Sequence, residues 1–151
     1  MLRKTLLSLA SMFAIAFPAS SQSLSDIVTV EVLPGWRASD GTHMAALHME
    51  LASGWKTYWR APGEAGIPPQ FDWTASRNLA GLDVLWPTPR ITVDHGMLTI
   101  GYSEQLVLPI RLLPARPGRD VTLRGTVEIG VCRDVSVTAS INEKAKQTRD
   151  E

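Results

Sequence analysis

The chain has 151 residues, with 15 Lys+Arg balanced by 15 Asp+Glu, 44% hydrophobic residues and a single cysteine. That length supports one ordinary domain with a core of its own. The neutral balance leaves no footprint for nucleic acid or an anionic membrane surface, and one thiol excludes an internal disulfide framework, a CxxC pair and a multi-thiolate zinc site.

Met1-Leu2-Arg3-Lys4 is a basic start, and Thr5 to Phe17 is an apolar run that Pro18 interrupts before the small residues Ala19-Ser20-Ser21. This order is that of a secretory signal peptide, residues 1–21. The run of about 13 residues is short of the ~20 that span a bilayer. Its removal leaves 13 positive and 15 negative residues, a net charge of −2. No other segment is long and apolar enough to insert in a membrane, so the mature chain is expected to be exported and soluble, in a compartment where a solitary thiol is unusual.

From there the chain reads as short strands. Asp26 to Leu33 alternates Ile27, Thr29 and Glu31 against Val28, Val30 and Val32, and Pro34-Gly35 is expected to close it. Thr42 to Leu51 sets Ala45, Leu47, Met49 and Leu51 on one face and Ala46, His48 and Glu50 on the other. Ala61 to Pro69 holds three prolines and two glycines in nine residues, which predicts a stiff loop. Gln70 to Trp73, Leu82 to Trp86, Arg90 to Val93 and Met97 to Tyr102 follow as strands, with a hairpin turn at Asp94-His95-Gly96. Gln105 to Leu113 contains Pro109, which predicts an edge strand or a bulge. Val121 to Val131 alternates with Val121, Leu123, Val127, Ile129 and Val131 on one face. Val135 to Ile141 is expected as the last strand, and Asn142 to Glu151 as a charged, solvated tail. Strands at this spacing, with turn chemistry between them, predict an all-β, antiparallel β-sandwich over residues 22–142.

Cys132 stands at one of the reversals. If Arg133-Asp134-Val135 is a three-residue hairpin loop, residues 132 and 136 oppose each other with Cα atoms about 4.5–5.5 Å apart, within the range a disulfide needs. Position 136 is a serine, so no bridge forms there.

The segments Gly54-Trp55-Lys56-Thr57-Tyr58-Trp59, Pro62-Gly63, Gly66-Ile67-Pro68, Trp86-Pro87, Gly101-Tyr102, Val107-Leu108-Pro109 and Gly130-Val131-Cys132-Arg133-Asp134 resemble the N-terminal periplasmic domain of the thiol:disulfide interchange protein DsbD. The resemblance runs from about Val28 to Ile141. It implies an immunoglobulin-like sandwich whose two cysteines take electrons from a membrane domain and hand them to thioredoxin-like partners in the periplasm. It also implies a longer protein with membrane and thioredoxin-like parts downstream. Carried over by position, Cys132 matches the first redox cysteine of a GVCxDxC motif, Ser136 takes the place of the second, and Thr138 stands where a proline often follows. A dithiol resolves its own mixed disulfide, whereas a lone thiolate waits for another molecule. The resemblance therefore implies an interchange domain that retains half of its couple and engages thioredoxin-like proteins or a DsbD-type membrane protein without a cofactor.

Other readings remain beside this one. Cys132 also reads as a small shielded residue without chemistry, and Arg133 and Asp134 pull its thiol in opposite directions. Tyr58, Trp59 and Pro62, with Arg133 and Asp134, frame a partner surface or, for the aromatics, fill the core as Trp73 and Trp86 do. A non-redox binding module that kept only the sandwich is the alternative. A copper site from His48, Met44 and Cys132 is the remote one, since His43 and His48 fall on opposite faces of a strand; no metal site is assigned. His95 reads as a turn residue.

Overall fold

The computed structural model describes residues 23–94, 96–133 and 136–147. Residues 1–22, which include the expected signal peptide, His95 of the expected turn, Asp134 and Val135 of the expected hairpin loop, and the last four residues lie outside them. Leu24–Asp26 forms one turn of 3-10 helix, and ten strands follow: β1 (Val28–Arg37), β2 (His43–Leu51), β3 (Lys56–Gly63), β4 (Gln70–Asp72), β5 (Leu79–Val84), β6 (Arg90–Asp94), β7 (Met97–Ser103), β8 (Gln105–Pro114), β9 (Val121–Cys132) and β10 (Ser136–Gln147). Every strand pair is antiparallel. One sheet runs β1-β2-β8-β5, and the other runs β10-β9-β3-β7-β6, with β4 also paired to β9. The edge strands β1 and β10 pack against each other and close one side of the sandwich. No helix among the described residues is long and apolar enough to cross a membrane.

The period-2 pattern builds the core between the sheets. Leu47, Met49, Leu108, Ile110 and Leu112 from the first sheet meet Val121, Leu123, Val127, Ile129 and Val131 from the second, all buried. At about 25 cal/mol per Å² of apolar area, this layer is the chief source of stability. Trp55 lies in it, and Trp59, Trp73 and Trp86 pack against its border.

Four boundaries depart from the sequence pattern. Pro34-Gly35 does not end β1: the ladder shifts register between Pro34 and Arg37 and continues. A Cβ at Gly35 would lie 2.3 Å from the Met44 carbonyl, so glycine permits the contact and the bulge absorbs the proline. The strand expected from Leu82 to Trp86 lies upstream, at Leu79–Val84. β8 is neither an edge strand nor bulged at Pro109, for it is flanked by β2 and β5. The Pro109 carbonyl accepts from Leu85 N at 2.9 Å, so its missing N–H also faces β5. The pairing of β5 stops at Val84, just short of that gap. Finally, β10 continues through Gln147 where a tail from Asn142 was expected. Its partner β9 begins at Val121 and offers a full ladder to that point, Gln147 opposite Val121. The backbone demand of a long neighbour outweighs the polar composition of Asn142-Glu143-Lys144.

Candidate functional site

The site is built on the β9–β10 hairpin. The register places Ser136 opposite Cys132 and continues with Val137 opposite Val131, as expected for a hairpin at this point. Val131 points into the core with no exposure, which turns Cys132 to the outer face of the sheet, where it is a half-buried free thiol. On its other side Cys132 pairs with Lys56 of β3. The thiol thus sits in a row between the backbone of Ser136 and Lys56.

Several contacts fix this row. Inside the sheet, buried Thr57 donates its hydroxyl to the Gly130 carbonyl at 2.9 Å. Outside it, the Arg133 guanidinium lies 5.4 Å from the Trp55 ring centroid, a cation–π contact that ties the start of the turn to the residue before β3. The Lys56 ammonium is drawn towards the opposite edge, where it bonds both Asp94 carboxylate oxygens at 2.8 and 3.0 Å. The Lys56 hydrogen bond, followed by that of Thr99, holds the Asp94 carboxyl below its usual 3.8. Between Lys56 and Arg90 lies a depression of about 100 Å³ lined also by Thr92, Thr99 and Ser103.

A second layer covers the same face. β3 leaves β9 after Thr57, and β4 takes its place beside β9 from Gln70. The chain between them folds back over Gly130. A Cβ there would lie 2.6 Å from Ile67 Cβ and 3.0 Å from Tyr58 Cδ2, and one at Gly66 would lie 2.7 Å from Tyr58 Cδ1. Tyr58 is consequently clamped between sheet and loop, 5% exposed. The prolines stiffen this segment as expected, although its first three residues, Ala61 to Gly63, belong to β3.

The residues singled out from sequence fall into two groups. Cys132, Arg133 and the backbone of Ser136 come together at the hairpin; Asp134 lies outside the described residues. Tyr58 and Pro62 belong to the covering layer, with Pro62 against Gly66. Trp59 is half-buried under Arg60, whose guanidinium lies 4.9 Å from its ring centroid. Sequence reasoning gave no role to Lys56, Thr57, Asp94 or Gly130. Each owes its contacts to a cross-strand register or a loop crossing; in the sequence Lys56, Thr57 and Gly130 stood only as members of motifs and Asp94 only in an expected turn. Of the histidines, His43 faces the core, while His48 on the outer face bonds Glu31 Oε1 at 2.9 Å and Gln105 Nε2 at 2.6 Å. They point to opposite sides, as the strand period requires.

With this geometry in hand, comparison with known proteins gives concordant results. The family model described as "Thiol:disulfide interchange protein DsbD, N-terminal" matches residues 26–143. Among solved structures, the N-terminal periplasmic domain of ScsB from Proteus mirabilis is similar at 31% identity with a TM-score of 0.60. That match covers 78% of this chain and 43% of the solved one, so the chain spans less than half the length of this relative. Comparison with curated proteins gives no match. An all-β sandwich, a thiol beside a tight reversal and a family match over most of the sequence converge: the chain belongs to the family of the N-terminal domain of the thiol:disulfide interchange protein DsbD.

Proposed function

We propose that the protein is a periplasmic thiol–disulfide interchange domain, exported through the signal peptide 1–21, that works through the single thiol Cys132. The carrying observation is the register of the β9–β10 hairpin, which seats a half-buried thiol directly opposite the serine that occupies the second redox position. Its partners are thioredoxin-like periplasmic proteins or a DsbD-type membrane protein, met through Cys132, Arg133, Asp134 and Pro62 of the covering loop. Tyr58, 5% exposed, supports that loop from beneath and Trp59 packs against the core border, so neither offers the contact surface expected of them from sequence.

The chemistry open to one thiol is limited and balanced. The Cys132 thiolate attacks one sulfur of a partner disulfide, forming a mixed disulfide and releasing the other partner sulfur as a thiolate. A second dithiol protein then attacks Cys132 Sγ, which frees the first partner in its reduced form. The donor's remaining thiol closes its own disulfide and releases Cys132. Two electrons pass from donor to acceptor, and Cys132 ends as it began. The second sulfur comes from another molecule because the residue at 136 is a serine, whose hydroxyl forms no disulfide and stays protonated at accessible pH.

Trapping tests this reading. A thioredoxin-like partner whose resolving cysteine is replaced by serine should accumulate a mixed disulfide with the wild-type protein and none with Cys132→Ala. Absence of any adduct, together with a thiol that an alkylating reagent reaches only after denaturation, would overturn it.

A further inference from the structure

The six-stranded sheet ends at β6 (Arg90-Ile91-Thr92-Val93-Asp94), which among the described strands pairs only with β7. The Leu98 N–H donates to Glu64 Oε2 at 2.7 Å, and its carbonyl accepts from Glu64 N at 2.8 Å. Both groups therefore point away from β6. In an antiparallel pair, residues directly opposite either exchange both bonds or turn both outward. Val93, opposite Leu98, and by alternation Ile91, opposite Ile100, hence direct their N–H and C=O groups beyond the sheet. Their side chains are 66% and 68% exposed for Ile91 and Val93, beside Leu98 at 39%. The strand has no proline or lysine within it and no bulge in its ladder; its only guards are its short length and the two charges at its ends, Arg90 and Asp94, which are opposite in sign.

We propose that this edge joins a second copy of the chain, β6 against β6 about a two-fold axis through Thr92. The sequence is self-complementary in that arrangement. Ile91 falls opposite the partner copy's residue 93, so the outward backbone groups of both residues form four hydrogen bonds across the axis. Their side chains merge with Leu98 into one apolar cluster. On the other face Arg90 falls opposite the second copy's residue 94, a pair without mutual backbone bonds, where side chains approach closest. Arg90 has no acidic partner among the described residues, whereas the Asp94 carboxylate is 40% exposed beside Lys56 and can accept from a second cation. Charge, hydrogen-bonding phase and apolar exposure agree on a single register. Five residues a side make a small interface, so the dimer is a weak one, with a Kd on the order of 10–100 μM.

Sedimentation equilibrium on the reduced protein tests this independently of any thiol exchange. Wild type should pass from monomer to dimer over that concentration range. Val93→Lys, at an exposed position, should stay monomeric with an unchanged melting temperature. Arg90→Glu and Asp94→Lys, each repelling its own copy, should be monomeric alone and form a dimer when mixed, because the mixture restores both charge pairs. A wild type monomeric throughout, a Val93→Lys variant that still dimerises, or a mixture that fails to associate would each overturn the proposal. Should Asp94→Lys not fold, Arg90→Glu and Val93→Lys carry the test alone. The trapping experiment above reads Cys132 and not this edge, so failure of one reading leaves the other standing.

Discussion

At the scale of single residues, Cys132 and Ser136 differ from a redox pair by one atom, and the hairpin register already opposes their backbones. Ser136→Cys is therefore expected to close an intramolecular disulfide under mild oxidant, seen as the loss of two hydrogens in the intact mass and of both alkylation sites. Two persistently free thiols would show that the opposed positions lack bridging geometry. Thr57 supplies the buried hydroxyl that satisfies the Gly130 carbonyl, so Thr57→Val should lower stability by about 1–3 kcal/mol in denaturant titration while keeping the fold. Asp94 adds a pH dependence whose sign follows from its depressed carboxyl. Its stabilisation is complete above the unfolded value near 3.8 and disappears as pH falls through the lower folded value. Wild type and Asp94→Asn should thus differ at neutral pH, by less than about 1 kcal/mol because the pair is only part-buried and screened by solvent, and their melting temperatures should converge in acid.

At the scale of elements, the loop between β3 and β4 is held by glycines that cannot gain a side chain. Gly130→Ala would set a methyl against Ile67 and Tyr58, so the loop must lift or the sheet must yield. The expected cost is about 1–3 kcal/mol, with faster proteolysis between residues 64 and 69; an unchanged cleavage rate would mean that the loop is not seated there. What the sequence disclosed and what it hid divide along the same line. The alternation of Val121 to Val131 and of His43 to Leu51 was legible because each residue's face depends only on its own strand. The opposition of residues 132 and 136 was legible as the consequence of one possible loop length, because turn length fixes local register, and the ladder has that register. Pro34 and Pro109 misled, since their tolerance depends on what the neighbouring strand does opposite them. Lys56 beside Cys132, and Ile67 over Gly130, lie 76 and 63 positions apart in the chain, and neither local pattern nor composition encodes such meetings.

At the scale of the whole molecule, stability rests on the layer shared by the two sheets, and the proposed exchange site lies on the outer face of one of them. Leu108, fully buried in β8, belongs wholly to the first. Leu108→Ala should cost about 2–5 kcal/mol, lower the melting temperature, and leave the reactivity of Cys132 in the folded fraction unchanged. In the paired arrangement of β6, the two-fold axis is perpendicular to the joined sheet, so both thiols emerge on the same side. Seven strand spacings put them about 30 Å apart or more, too far to serve each other as a dithiol. Each copy then remains a one-sulfur site, and pairing changes the number of sites presented rather than the chemistry of any one.

The opposition of residues 132 and 136 also bears on what a bridge there would be worth thermodynamically. A cross-link stabilises chiefly by removing chain freedom from the unfolded ensemble, and it removes less the fewer residues it encloses. Five enclosed residues correspond to only about 2 kcal/mol by that relation. Opening and closing such a link would leave the sandwich standing, which is what a domain that repeatedly breaks and remakes the bond requires. By the same reasoning, a hairpin of this register with one sulfur instead of two gives up little folding energy, so the sandwich does not depend on a bridge at this position.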